Sequence, residues 1–396
     1  MAAPHRVLIM TLPPFTGGVP AKCAILARHL RQLGHEVSIA YYATLSDHPE
    51  LAAPSWRILS GARPGSREAR VFGDFVGRAV GCWLPELEFS YYLPSTRWDA
   101  LIDAHQRHVA VGGTALVSYP LNRRNLPHLV WCACGMVSDR ADRHAAMAWP
   151  RRLLDSLLTI PVQRVMERRI LKGPGRILTV ATSGRDELRA LGGSPERVTT
   201  MPIPVDAGHF RPPAVSAPAG VIGFAGRLGD PRKNIGLLIE AARLVQARTP
   251  IRLRLCGEPD PAWKAKTEAQ GDPVEWLGHV AYADLPAFYG SLDVFALPSH
   301  QEGFGIVGSE ALACGVPVVS TDCGGPRDYV IAGQTGFLVN KNPEEMAERL
   351  LAIITDRDLR HGLSASGRAL AERRFSTQAF ASALDAAWTQ VWNESP

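Results

Sequence analysis

Residues 297–339 read LPSHQEGFGIVGSEALACGVPVVSTDCGGPRDYVIAGQTGFLV, and this run decides the fold. Pro298 and Ser299 close an apolar strand begun at Val294, and the loop His300-Gln301-Glu302-Gly303-Phe304-Gly305 leads into a helix expected over 306–314. Gly315 supplies the left-handed residue that ends such a helix, and a second apolar strand is expected over 316–321. A glycine-bearing loop between a strand end and a helix N-terminus is an anion site, because unpaired backbone N–H groups and the helix dipole both point at it. Glu302 precedes this helix and Glu310 lies about one turn inside it. Two carboxylates beside a phosphate pocket would repel the phosphate unless they serve neighbouring hydroxyls, which points to a nucleotide sugar. Were 302–310 fully helical, the two would stand about 12 Å apart, wider than the roughly 5–9.5 Å of a glycosidase pair. The plainer alternative is one helix-capping and one solvent-facing glutamate.

Upstream, residues 223–234 read GFAGRLGDPRKN. Phe224 and Ala225 end a strand, Gly226 turns the chain, and Arg227 and Lys233 lie six residues apart across a Gly/Pro loop. An arginine can bind a diphosphate bidentately and a lysine acts as a compact point charge, so the two could neutralise a diphosphate leaving group. Alone they would read as solvated cations; beside the Glu302 segment they do not.

Further out, apolar strand-like runs alternate with helical patterns, the signature of parallel α/β architecture. Strands are expected at 7–11, 36–42, 100–104, 128–132 and 176–181, with the loop 12–18 and a helix over 20–33 completing a first βαβ unit. A Pro/Ala-rich stretch, 211–219 (RPPAVSAPA), reads as a linker. A second series follows at 221–225, 251–256, 274–277, 294–297 and 316–321. The expectation is two doubly wound, Rossmann-like domains facing across a cleft, 1–210 and 220–375, with the site at the strand C-terminal ends.

The whole chain has 396 residues, 46% hydrophobic and 20% charged, which fits two ordinary globular domains and excludes wholesale disorder. No apolar run approaches the roughly 18 residues of a membrane span, and the N-terminus lacks the apolar core of a signal peptide. Seven cysteines without a CxxC pair suit a reducing cytoplasm. Residues 1–205 carry 25 Lys+Arg against 16 Asp+Glu, whereas the remainder carries 18 against 22. A basic half implies either an anionic partner or a merely solvated positive face. Residues 151–172 sharpen the choice, with cations at 151, 152, 164, 168, 169 and 172 among Leu153, Leu154, Leu157, Leu158, Val162 and Val165. Such a segment can lie on an anionic membrane or be an ordinary amphipathic helix, broken in two at Pro161.

Together, Arg227, Lys233, Glu302-Gly-Phe-Gly-Ile, Glu310 at E-x7-E spacing, Gly324-Gly325 and Gly333-x-x-Gly336-Phe337 resemble the retaining GT-B glycosyltransferases of family 4. Gly17-Gly18 and Gly34-His35-Glu36-Val37 extend the likeness more loosely to the first half. The resemblance implies hexosyl transfer from a nucleoside-diphosphate sugar to an acceptor hydroxyl, with retention and without a metal or other cofactor. It implies that Glu302 contacts the donor sugar, Glu310 the ribose, and Arg227 and Lys233 the diphosphate. Backbone amides at Gly305 and Ile306, with Phe304 in the same loop, would join them. Gly17 and Gly18 would face the diphosphate from the first domain, and backbone around 278–280, Val280 included, would hold the base. A last helix, about 376–394, is expected to return to the first domain. The resemblance implies a nucleotide-sugar donor and a hydroxyl acceptor; the basic first half and the stretch 151–172 read that acceptor as lipid-linked or anionic, with peripheral contact at the cytoplasmic membrane face, and no nucleic acid is expected.

The sequence departs from the family at 129–135, LVWCACG, where Cys134 stands in place of a histidine that approaches the donor sugar. A thiol cannot supply the same cationic donor. His105 is the alternative candidate, or a half-buried structural histidine. Asp356-Arg-Asp358 sits in a helical region and reads as helix surface, and Cys132-x-Cys134 lacks a second ligand pair for zinc. Two other functions remain open at this point: a nucleotide-sugar epimerase and a sugar-nucleotide-binding pseudoenzyme.

Overall fold

A computed structural model describes residues 4–13, 17–213 and 220–396, without the side chains of 142, 143, 145 and 146. The chain forms two compact units, residues 1–201 with 382–396, and residues 202–381. The boundary falls at Met201/Pro202, ahead of the expected linker, of which 214–219 lies outside the described residues. Residues after Met201 belong to the second unit because its side chains and backbone hold them. The Val205 N–H donates to the Phe375 carbonyl (2.7 Å), and the buried Phe210 ring packs on Tyr282 and Tyr289.

The first unit contains β1 (Arg6–Thr11), β2 (Glu36–Tyr42), β3 (Ser66–Val71), β4 (Phe75–Val80), β5 (Arg107–Val111), β6 (Leu129–Cys132), β7 (Arg176–Thr179) and β8 (Val198–Thr200). They form one sheet in the order β3-β4-β2-β1-β5-β6-β7-β8, parallel except for the β3–β4 hairpin at one edge. Central strands such as β1 and β6 are apolar on both faces, as a sheet covered by helices on both sides requires.

One expected strand is a helix. Residues 100–103 fall in Thr96–Asp103 and Ala104 is its C-cap; the N-cap Ser95 accepts from the Trp98 N–H, and Trp98 and Ile102 are buried at i, i+4 spacing. The strand begins later, at Arg107. The stretch 149–172 also differs from expectation, because Pro161 does not break it. Trp149–Leu154, a π turn at Asp155–Thr159 and Ile160–Lys172 follow without interruption. The wide turn accommodates the proline ring, which would otherwise strike the carbonyl four residues earlier.

The second unit contains β9 (Val221–Ala225), β10 (Arg252–Cys256), β11 (Val274–Gly278), β12 (Val294–Leu297), β13 (Val318–Thr321) and β14 (Gly336–Val339). Their order, β11-β10-β9-β12-β13-β14, is fully parallel and doubly wound. Strand order reverses between β9 and β12, and ligands of such sheets bind outside the carboxyl ends of the strands at that point. The last helix, Thr377–Trp392, starts in this unit, and from Ser382 onward the chain belongs to the first. There Trp388 stacks on His35, and Glu394 pairs with Arg107 (2.6 Å) and His5 (3.0 Å).

Candidate active site

In the second unit the loops after β9 and β12 meet at the switch point. After β9, Gly226 turns with φ of 155° and Asp230 caps the short turn Pro231–Lys233 by accepting from the Arg232 N–H. Asn234, left-handed at φ 48°, then starts the helix Ile235–Gln246. The two loops are tied by the His300 N–H donating to the Arg232 carbonyl at 2.7 Å.

This geometry carries Lys233 to Glu302, with Nζ 2.6 Å from Oε1 in a largely buried pair. The Ser299 hydroxyl donates to the same oxygen at 2.7 Å. Glu302 is fixed through its backbone as well: its N–H donates to the Cys323 carbonyl (2.8 Å) and its carbonyl accepts from the Gly325 N–H (2.9 Å). Gly325 has no room for a side chain, since a Cβ would collide with the Phe304 backbone. Arg227 behaves differently: it is 58% exposed and rests on Asp230 at 3.0 Å. Of the two expected diphosphate cations, the structure therefore brings only Lys233 onto Glu302.

Behind the pair, Gly305 takes φ 77°, a conformation that favours glycine, and its carbonyl accepts from Tyr329 (2.7 Å). The helix Ile306–Ala313 begins here without a side-chain cap; the Gly308 N–H turns back to the Gly305 carbonyl (2.9 Å), and a helix offers its first N–H groups, here those of Ile306 and Val307, no acceptor of its own. Phe304 is buried against Tyr329 and Phe375, so it braces the loop rather than presenting a ring to a ligand. Glu310 is buried inside the helix and accepts from the Tyr289 hydroxyl at 2.8 Å. Burial pushes its carboxyl up to about 7. The sequence posed a difficulty of two carboxylates at an anion site, and the fold resolves it. One is neutralised by Lys233, and the other is close to half protonated at neutral pH. Val280 follows β11 and Gly278, which turns with φ 66°.

The first unit has its own switch point, between β1 and β5. Gly17 and Gly18 open the helix Gly18–Gln32, with residues 14–16 outside the described chain. Cys134 follows β6, its N–H donating to the Gly113 carbonyl (3.2 Å), and burial pushes its thiol well above the ordinary range. His105 is not beside it. It ends the helix Thr96–Asp103 ahead of β5, its Nδ1 2.7 Å from the Leu101 carbonyl, and the next residue bonds to Arg6 at the start of β1. β5 and β6 are neighbours and parallel, so His105, ahead of β5, lies at the opposite end of the strands from Cys134, after β6, and cannot take a histidine's role there.

A cavity of about 570 Å³ opens at this switch point, unmarked by any motif in the sequence. Its lining includes Tyr42, Tyr91, Gly113, Asp139, Arg140 and Arg151. Buried Arg140 pairs with Asp155 and donates to Glu88 (2.6 Å) and Gln163 (3.2 Å). Buried Lys22 donates to the carbonyls of Gly112 (2.8 Å) and Trp131 (3.1 Å), and desolvation lowers it to about 8. These residues come from separate segments and carry no local motif.

Comparison with known proteins agrees with this architecture. A family model described as glycosyl transferases group 1 matches residues 219–356, and a glycosyl transferase 4-like domain matches 17–204. The chain is 28% identical over 376 residues to D-inositol 3-phosphate glycosyltransferase of Stackebrandtia nassauensis, across 88% of this chain and 81% of that protein. It is 32% identical over 182 residues to the capsular polysaccharide biosynthesis glycosyltransferase CapM of Staphylococcus aureus, where the match spans 44% of this chain and 47% of CapM. Sucrose-phosphate synthase from Thermosynechococcus elongatus superposes with a TM-score of 0.72 at 20% identity, over 98% of this chain and 99% of that one. Anabaena HepE in complex with UDP gives 0.70 at 16% identity, over 97% and 100%. The chain belongs to the glycosyltransferases of group 1 and has the GT-B fold.

Proposed function

We propose that the protein transfers a hexosyl unit from a nucleoside-diphosphate sugar to an acceptor hydroxyl, with retention at the anomeric carbon. The observation that carries this reading is the Lys233–Glu302 pair at the β9/β12 switch point, beside the open N-terminus of Ile306–Ala313 and the buried Glu310. Lys233, the helix dipole and Arg227, drawn from Asp230 by a stronger anion, would neutralise the diphosphate. Glu302 would hold sugar hydroxyls and Glu310 the ribose. In the reaction the bond from the anomeric carbon to the phosphate oxygen breaks and the bond to the acceptor oxygen forms on the same face. The departing phosphate takes the acceptor's proton. These cations supply the charge stabilisation that a divalent metal provides elsewhere, so the reading needs no metal.

That neighbours such as HepE are seen with UDP and UDP-glucose supports a uridine donor as the first to try. The acceptor is read as lipid-linked or anionic, and the setting as the reducing cytoplasm, to which seven unpaired cysteines point. The test begins with a thermal-shift screen of UDP, GDP and their sugars. A ligand at a hundred times its dissociation constant stabilises by about 2.7 kcal/mol. Proton NMR of the product from the stabilising donor then reads the anomeric configuration. Stabilisation by no nucleotide, or an inverted product, would overturn the reading; an isomerised sugar without acceptor would make the chain an epimerase.

A further inference from the structure

The helical stretch 149–172 turns an uncommon surface to solvent. Trp149 is 76% exposed, Leu157 71% and Leu153 53%, and Leu154, Leu158 and Val165 are exposed as well. A contiguous apolar surface of this kind on a soluble domain marks an interaction site. Its charges are sorted. Arg151, Arg152, Arg164, Arg168, Arg169 and Lys172 are all exposed, whereas the two carboxylates of the same stretch turn inward. Asp155 is buried on Arg140, and Glu167 is buried where it accepts from the Met136 N–H. The outward face is therefore apolar and cationic with no carboxylate of its own. The short turn Ser55–Ile58 adds exposed Trp56 and Leu59. Trp56 and Arg151 line the same cavity, so the two exposed segments meet at its mouth.

We propose that this face, built on 149–172 with Trp56 beside it, docks on an anionic lipid surface. Both halves of its chemistry fit that partner. Tryptophan and leucine enter the boundary between headgroups and acyl chains, while arginines hold phosphates, as interfacial amphipathic helices do. A second copy of the chain fits poorly, because a two-fold contact through this patch would set its six cations against the same six. The docking stands apart from the donor chemistry. Only its consequence rests on the proposed transfer: a docked face bordering the cavity mouth would admit an acceptor whose hydroxyl-bearing head is held near a membrane.

The full chain is sedimented with phosphatidylcholine vesicles, with and without phosphatidylglycerol, across a salt series. The expected result is recovery on the anionic vesicles that falls as salt rises, with little on the neutral ones. Replacing Arg164, Arg168 and Arg169 by Gln weakens binding about fivefold per cation, roughly a hundredfold together. Leu153→Glu with Leu157→Glu abolishes binding while leaving the melting temperature and UDP-induced shift unchanged, since both side chains are exposed. Equal recovery on both vesicle types would overturn the proposal. So would anionic binding that survives the Leu→Glu pair, which would show attraction by charge alone. A concentration-dependent dimer in sedimentation velocity, abolished by the same pair, would make a second copy the occupant and overturn it too. A failed donor screen with intact vesicle binding would sink the proposed transfer and leave the docking standing.

Discussion

The two units have the same kind of parallel sheet and a switch point apiece, yet their electrostatics at those points are opposite. In the second unit the helix N-terminus at Ile306 is left open, and a lysine stands in front of it on Glu302. In the first unit the helix after β1 also begins without a side-chain cap, but the helix after β6, one strand beyond the switch point, has its first N–H groups already paired. Glu187 accepts from the Gly135 N–H (2.9 Å), Glu167 from the Met136 N–H (2.8 Å), and Lys22 caps the carbonyls at the ends of β5 and β6. What is left is a cavity lined by tyrosines and paired charges. On the proposed reading the second unit's site would take the anionic diphosphate and the first unit's the hydroxyl-bearing end of the acceptor. Six of the first half's cations are instead exposed on the outer face of 149–172.

The strongest way to break this comparison is through Arg140. It holds Asp155, Glu88 and Gln163 in the first unit with almost no solvent contact. Arg140→Ala leaves Asp155 buried without its cation, which costs about 3–5 kcal/mol. Denaturant titration should show that loss, with UDP binding to the folded fraction unchanged because the donor groups lie in the other unit. A loss below about 1 kcal/mol, typical of exposed pairs, would mean that the network is solvated and the cavity floor is not rigid.

Next in size is the donor pair. Lys233→Ala should reduce turnover about a hundredfold or more by removing stabilisation of the leaving group. Arg227→Ala should reduce it similarly. Stability separates them: Lys233→Ala also strips Glu302 of its partner and costs about 1–3 kcal/mol, whereas exposed Arg227 costs within about 0.5 kcal/mol. Steady-state kinetics with thermal melts checks both. Near-normal turnover in the two variants would remove the diphosphate assignment.

These residues were legible in the sequence because their determinants are local. A strand end, a glycine at the left-handed position 305, a helix and a capping glycine at 315 follow one another within twenty residues. The Lys233–Glu302 contact spans 69 positions, yet doubly wound topology brings those two loops together. The cavity of the first unit had no such signature. Tyr42, Tyr91, Asp139 and Gln163 are each unremarkable alone and meet only through tertiary packing. The misread strand at 100–104 failed for a related reason. A short apolar run fits strand or helix equally, and the Ser95 cap that decides the matter is a single residue.

Glu310 gives a smaller, pH-dependent effect. Its folded carboxyl titrates near 7 against an ordinary 4.5, so between those values the folded state holds a proton that the unfolded state has lost. Stability from this group is full below 4.5 and declines by about 3 kcal/mol as pH rises to 7. Glu310→Gln should flatten that part of the stability curve. If Glu310 holds the ribose as proposed, the hydroxyls would donate to its ionised form, so wild-type UDP affinity should rise as pH passes through about 7. The Gln variant should bind roughly tenfold more weakly with no such rise. Calorimetry across pH decides it; a variant that keeps the pH dependence would place the titrating group elsewhere.

The least effect is expected at Cys134, and its smallness is informative. The thiol sits where the family resemblance implies a histidine, and burial keeps it neutral at physiological pH. A neutral thiol is a weak donor and cannot offer the positive hydrogen bond of an imidazolium. His105 offers none there either, since it lies at the other end of the strands. On the proposed reading, donor-sugar contacts would then fall to the second unit, chiefly to Glu302. Cys134→Ala should leave UDP affinity and turnover within about twofold of wild type, below the roughly 1 kcal/mol of an ordinary hydrogen bond. Glu302→Gln in the same assay should lower turnover while sparing UDP affinity, because it touches the reacting sugar and not the nucleotide. A tenfold or greater loss at Cys134→Ala would show the thiol bonding the substrate directly. The first unit's switch point would then share the donor chemistry that the contrast between the two units assigns to the second alone.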